Sequence, residues 1–145
     1  MNNKGITLIE LTIVIGLLAI LAGAVIFAVN PVQLLAEARN TERSAEVNTI
    51  LNAMRQRMTD NRGVWDTTCG TATVSLPSAT TTIGSDPGFI NLERCLVTTY
   101  LPAMPLDPVV GVVANTGYAI IQQSNGRITV IASNAELGKD IAVTR

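Results

Sequence analysis

From Leu11 to Val29 the sequence carries no formal charge and is almost wholly aliphatic. As a helix this stretch would extend roughly 28 Å, close to the thickness of a bilayer core. Apolar residues make up 48% of the chain but aromatics only 3%, so the hydrophobicity is aliphatic and concentrated in this one early block. The 145 residues leave room for one modest folded module besides it. A cleaved secretory signal is the competing reading. It would have a shorter apolar core ending at small residues, which Ala22, Gly23 and Ala24 could supply.

The residues before the block argue for an anchor. Met1 to Gly5 form a short leader with a single Lys4, a cation that favours keeping this end cytoplasmic, and the apolar run begins at Ile6. Glu10 interrupts the run near its start. A carboxylate at the centre of a membrane helix costs about 2.5 to 3.5 kcal/mol on insertion scales, so Glu10 either stays in the headgroup zone or needs a partner.

The string Lys4-Gly5-Ile6-Thr7-Leu8-Ile9-Glu10-Leu11 resembles the processing motif of type IV pilins, competence pilins and type II secretion pseudopilins. The resemblance implies cleavage after Gly5 by a prepilin peptidase, N-methylation of the new terminal residue Ile6, and an assembly role for Glu10. Ile6 stands where that family usually has Phe. Cleavage would expose a cationic amine on Ile6 in apolar surroundings, and Glu10 of an adjacent subunit could neutralise it. Such a pair sets axial register more than affinity, because breaking it strands a buried charge at about 3 to 5 kcal/mol. Outside lipid, the apolar helix must cover itself with other copies. Gly16 and Gly23 allow close helix approach or local unwinding, although glycines are common in membrane helices.

Asn30-Pro31 breaks the pattern. Pro31 lacks an amide hydrogen and clashes with the preceding turn, which predicts a kink, or a restart with Asn30 as cap and Pro31 in the first turn. An amphipathic helix follows over about Val32 to Thr59, with Val47, Ile50, Leu51, Met54 and Met58 on one face toward a sheet. Glu37, Arg39, Glu42, Arg43, Glu46, Arg55 and Arg57 fall on the other surfaces. Arg39 with Glu42, or Arg43 with Glu46, can pair along the helix; these charges are either solvated or bridge neighbouring subunits. Gly63 is positioned to close the helix.

Beyond it, a Thr-, Ser- and Gly-rich stretch to about Gly88 reads as a long surface loop with at most a short strand near Thr73 to Leu76. By resemblance this is the variable region between the long helix and the sheet. Asn91 is positioned to cap a short helix over Leu92 to Tyr100, with Leu92, Cys95, Leu96 and Thr99 on one face. The run Leu101-Pro102, Leu106-Asp107-Pro108 and Gly117-Tyr118 looks like the pattern preceding the sheet in major pseudopilins and related pilins, with Val109 where an aromatic often follows. Tyr118 to Gln123 and Arg127 to Ala132 read as strands joined at Ser124-Asn125-Gly126, with Ile120, Ile128 and Val130 facing the helix, and a further strand is expected around Ile141 to Val143.

The expected organisation is thus α+β: a leader over 1–5, a membrane-spanning assembly helix over 6–29, an amphipathic helix over 30–60 with a kink near Pro31, and an extracytoplasmic head over 61–145 built on a small antiparallel sheet. In an oxidising compartment Cys69 and Cys95 are expected to form one disulfide, worth about 3 to 4 kcal/mol in the chain-entropy model, with two free thiols as the alternative.

The chain contains no histidine, which removes the commonest general base and metal ligand, so a non-enzymatic role is expected. No cofactor is expected. By resemblance to calcium-binding pseudopilins, Asp107, Asp86 and Asn115 are the residues to inspect, although calcium wants six to eight oxygens and acidic residues here are scattered. The net charge of -1 gives no nucleic-acid footprint, and the modest cluster Arg55, Arg57 and Arg62 contains Asp60. The resemblance implies a homo-oligomeric filament, other pilins or pseudopilins, the peptidase and methylase, an inner-membrane assembly platform and membrane lipid as partners. It leaves open surface pilus, secretion pseudopilus and minor or competence pilin. A single-pass anchored extracytoplasmic binding protein is the alternative outside that family.

Overall fold

Helix α1 (Leu8–Ala28) follows from the uninterrupted aliphatic run, and its apolar side chains are exposed where described. The computed structural model describes residues 5–28 and 30–145; Met1 to Lys4 of the expected leader and Val29 lie outside the described residues. Helix α2 (Pro31–Asp60) restarts as the sequence predicts. Asn30 caps it, its Oδ1 accepting from the Gln33 amide at 3.4 Å, and Pro31 occupies the first helical position, where a missing donor is harmless. The chain forms two compact units divided between Ala36 and Glu37, inside α2.

In the second unit the buried face of α2 runs Asn40, Arg43, Val47, Ile50, Met54 and Arg57, at alternating steps of three and four that keep one stripe of a 3.6-residue helix turned inward. The stripe ends in a left-handed closure. Arg62 and Gly63 both have positive φ, and the Gly63 amide reaches back to the Met58 carbonyl at 2.7 Å, so the residue at the first left-handed position is Arg62 and not Gly63 as expected.

Beyond α2 lie a small hairpin of β1 (Thr68–Cys69) and β2 (Ala72–Thr73), then β3 (Thr81–Thr82), helix α3 (Glu93–Leu96), and the strands β4 (Tyr118–Gln122), β5 (Ile128–Ala132) and β6 (Ile141–Thr144). The last three strands and β3 form one antiparallel sheet in the order β3-β4-β5-β6. Tyr118 pairs with Ala132 and Ile120 with Val130, which places Tyr118, Ile120, Ile128 and Val130 in one buried cluster with Val47, Ile50, Leu51 and Met54 of α2. The architecture is α+β, a long N-terminal helical segment with small antiparallel sheets.

Three expectations are corrected. The stretch before Gly88 is not all loop, because β3 adds an edge strand to the main sheet through Thr81 opposite Ile120. The short helix stops at Leu96 instead of Tyr100: Thr98 has φ +74°, and the Thr98 amide turns to the Leu101 carbonyl, leaving Thr99 exposed. Asn91 does not cap it; Leu92 precedes the helix without a side-chain cap, and the Asn91 Oδ1 is buried with no hydrogen-bond partner. The β4–β5 connection turns at Ser124-Asn125-Gly126 as expected, closed by the Gln123 amide on the Arg127 carbonyl, with Gly126 at positive φ.

Candidate functional site

The start of α1 is built by two side chains. Thr7 precedes the helix and Glu10 is its third residue; the Thr7 amide and hydroxyl each donate to Glu10 Oε2 at 2.8 Å, and the Glu10 amide returns a bond to Thr7 Oγ1 at 3.3 Å. This reciprocal capping box satisfies helix donors that have no intrahelical partner. The spacing Thr7-x-x-Glu10 is legible in the sequence, and reading Glu10 only as a membrane charge misses it. Ile6 is 81% exposed and Gly5 is exposed, so the Gly5–Ile6 bond stands clear of the fold. Leu8–Ile26 is long and apolar enough to cross a membrane. A Cβ built on Gly16 or Gly23 would meet nothing within 4 Å in the single chain.

In the head, Cys69 and Cys95 form the expected disulfide, joining β1 to α3. Arg57 lies beside it, contrary to the expectation that it faces outward. Its guanidinium donates to the carbonyls of Thr68 at 2.7 Å, Asp66 at 3.0 Å and Cys95 at 3.2 Å, and sits 5.4 Å from the Trp65 ring centroid. It thereby ties α2 to both strands of chain that the disulfide joins, and the supposed basic cluster of Arg55, Arg57 and Arg62 loses its central member.

Arg43 is also inward, at 1% exposure, and does not pair with Glu46. It donates through Nε to Asp107 Oδ2 at 2.7 Å, through Nη1 to Glu136 Oε2 at 2.8 Å and to Asn40 Oδ1 at 3.1 Å. Arg39 likewise turns from Glu42 to Glu136, with bonds of 2.7 and 2.6 Å. Asn40 completes the clasp, donating to the Glu136 carbonyl at 2.8 Å and accepting from the Glu136 amide at 2.9 Å. Glu46 accepts instead from the Tyr118 hydroxyl. For Arg43 the long-range partner wins because Asp107 is a fully buried carboxylate that only this guanidinium can neutralise, while Arg39 meets the half-buried Glu136 with two bonds in a fork-to-carboxylate geometry. Arg43 and Arg57 sit at the step of the apolar stripe, which was the available sequence signal.

Burial pushes the Asp107 carboxyl up, but the Arg43 guanidinium and the Val109 and Val110 amides outweigh it, and the net shift is downward. Hydrogen bonds from Arg39 and Arg43 pull Glu136 down to about 2. Burial raises Glu46. Asp107 and Glu136 therefore bind protons less readily folded than unfolded, and their contribution is complete above the ordinary carboxylate range and lost as pH falls through their folded values. Head stability is expected to drop as pH falls from about 4.5 to about 2. Protonation of Glu46 works in the opposite sense and offsets part of the loss at the upper end. Urea midpoints of the full chain in detergent test this; a flat midpoint across that window would remove the clasp from the account of stability.

The chain brings Asp107, Asp86 and Asn115 into one loop cluster, since the Asp107 amide bonds the Thr116 carbonyl and the Asp86 amide the Ala114 carbonyl. The Asp107 carboxylate, however, faces Arg43, and the Asn115 Oδ1 accepts from the Gly117 amide at 3.0 Å. Among the described residues no group of three His, Cys, Asp or Glu side chains is placed to hold a metal.

Residues 1–26 match the family described as the prokaryotic N-terminal methylation motif, the signature of type IV pilins and pseudopilins. Comparison with curated proteins and with solved structures gave no match.

Proposed function

We propose that this chain, whose residues 1–26 match the methylation motif, is a non-enzymatic structural subunit of a type IV pilus or pseudopilus. In this reading it is cut after Gly5, methylated on Ile6, held in the cytoplasmic membrane by α1 with its head outside, and polymerised through α1. The observation that carries the reading is the motif lying directly on a bare apolar helix: every large apolar side chain described from Ile6 to Ile26 is more than half exposed in the single chain. Lipid covers such a surface before assembly, and copies of the same helix cover it afterwards. The Ile6 amine released by cleavage then meets Glu10 of the neighbouring copy, exchanging the cap to Thr7 for a charge pair. The assembly platform, the peptidase and methylase, and other pilins or pseudopilins are the partners this route requires.

Intact-mass and N-terminal analysis of membrane and sheared extracellular fractions, with and without the host's prepilin peptidase, tests the reading. A mature species beginning at methylated Ile6 and abundant in sheared filaments is the expected result for a pilus; confinement of that species to the membrane assigns it to a pseudopilus or a minor subunit. A chain beginning at Val25, or an uncut Met1, would replace the proposal with a secretory signal or a simple anchor.

A further inference from the structure

Arg57 favours one sulfur of the Cys69–Cys95 bond over the other. Its Nη2 lies 3.7 Å from Cys69 Sγ, whereas among the described residues no hydrogen-bond donor reaches Cys95 Sγ. The same guanidinium holds both segments that the bond joins, through the Thr68 and Asp66 carbonyls on one side and the Cys95 carbonyl on the other. Its charge is only partly matched. Nε is buried without a hydrogen-bond partner, and the carboxylate that it meets, Asp66 Oδ2 at 3.4 Å, belongs to a side chain 38% exposed. Trp65 is buried beside the guanidinium, fixed by its Nε1 bond to the Val74 carbonyl at 2.9 Å, and a cation in such surroundings acts strongly on a sulfur close to it.

In thiol–disulfide exchange an attacking thiolate bonds to one sulfur, and the other departs with the electron pair of the broken bond. The departing sulfur becomes an anion, so the one beside a cation departs more readily. In this head that sulfur is Cys69, which directs the attack to Cys95.

We propose that the disulfide is a redox-responsive joint in which Arg57 receives the Cys69 sulfur as a thiolate, so that a dithiol reductant opens the bond by attacking Cys95. First, the reductant's thiolate bonds to Cys95 Sγ, the bond between the two cysteines breaks, and its electron pair stays on Cys69 beside Arg57. The reductant's second thiolate then attacks its own sulfur in the mixed disulfide, and Cys95 leaves. Two electrons pass to the protein and the reductant ends as a disulfide; one of its two thiol protons is taken up by Cys95 and the other goes to water. An ion pair replaces the covalent bond, and Arg57 still ties Thr68 and Cys95 to α2, so the joint opens without parting. Cys69 and Cys95 are 3 and 4% exposed, so exchange follows small local openings and favours a small thiol. Arg57 is a positioning residue in this chemistry, which needs no assembly of the chain.

Brief treatment of the full chain in detergent with reduced glutathione, a monothiol that stops at the mixed disulfide, followed by alkylation of free thiols, tests this. Trypsin cuts after Arg62, Arg94 and Arg127, which puts Cys69 and Cys95 in separate peptides for mass spectrometry. Glutathione on Cys95 is expected to exceed glutathione on Cys69 about ten-fold, with Cys69 recovered as the alkylated thiol. Arg57→Met is expected to bring the ratio near one, and Arg57→Lys, which keeps a cation, to restore most of the preference; a purely structural Arg57 would leave the ratio unmoved. The unaltered chain decides by itself should Arg57→Met fail to fold: glutathione mainly on Cys69, or shared evenly, would overturn the proposal. So would an unchanged ratio in a folded Arg57→Met chain. A bond that yields no adduct at all would be a sealed staple and not a joint. Trp65, the chain's one tryptophan, reports on the reduced state. Its emission is expected to keep its wavelength after full reduction, and a shift to that of an exposed indole would show that Arg57 does not hold the joint together.

Discussion

Arg43→Ala is expected to destabilise the head by about 3 to 5 kcal/mol, a large share of the roughly 5 to 15 kcal/mol typical of a whole domain. The loss does not come chiefly from the ion pair's own attraction, much of which is offset by the desolvation of both groups. It comes from leaving Asp107, whose side chain has no exposed surface, charged and unpaired in the interior, with Glu136 losing one of its two arginines. Arg43→Lys is expected to recover little, because one ammonium cannot reproduce a planar fork that meets Asp107, Glu136 and Asn40 at once. A second change should recover more. Arg43→Met with Asp107→Asn removes both charges and keeps an oxygen for the Val109 and Val110 amides, so the pair is expected to cost less than the two single changes added together. Denaturant unfolding of these variants beside the unaltered chain, in detergent, measures this coupling. A loss below about 1 kcal/mol for Arg43→Ala would mean that the site relaxes and hydrates, and that the buried pair does not organise the head.

For Glu10 the expected result is the same loss of filaments from two substitutions that remove the same charge but differ in what they leave of the helix cap. Glutamine is a good third residue of a capping box, so Glu10→Gln keeps the bonds to Thr7 and loses the negative charge, while Glu10→Ala loses both. If the carboxylate serves assembly, both variants leave the methylated chain in the membrane with few or no filaments. An unpaired buried amine at about 3 to 5 kcal/mol recurs at every subunit, so the effect is expected to be near-complete. Filament yield in sheared fractions, with membrane-bound protein as the control for expression, reads it. Normal filaments from Glu10→Gln together with none from Glu10→Ala would assign Glu10 to the helix start alone and withdraw the register role.

Local periodicity and turn chemistry carried most of the architecture into view. The Asn30-Pro31 restart, the Val47 to Met54 face, and strands β4 to β6 each have a repeating pattern or a backbone requirement that a few neighbouring residues declare. The disulfide was legible from the placing of its two cysteines beyond an anchor. What stayed hidden was set by partners distant in the chain. Strand β3 is two Thr residues, recognisable as a strand only because β4 pairs with them. Arg43 and Arg57 look like ordinary surface cations until Asp107, Glu136 and the carbonyls around the disulfide are brought to them. Their spacing on the apolar stripe was a usable sign, overruled by the general rule that arginine faces water. At the helix start, the Thr7-x-x-Glu10 box was present in the letters, but a single carboxylate in an apolar run drew attention to charge and away from capping.

The clasp between α2 and the C-terminal part of the chain also sets an order of events during biogenesis. Arg43 waits 64 residues for Asp107, and Arg39 waits 97 residues for Glu136. During synthesis α2 therefore emerges with Arg39, Arg43 and its apolar stripe uncovered, and the carboxylate partners of the two arginines arrive only with much later segments. Contacts closed over such separations form late and slowly, since the intervening loop must be ordered first. The head then becomes fully native only after β6 is delivered, so an incompletely delivered chain exposes an unfinished head to proteases and chaperones. If the chain assembles as proposed, the distance between the two ends of the clasp decides which copies are complete enough to enter a filament.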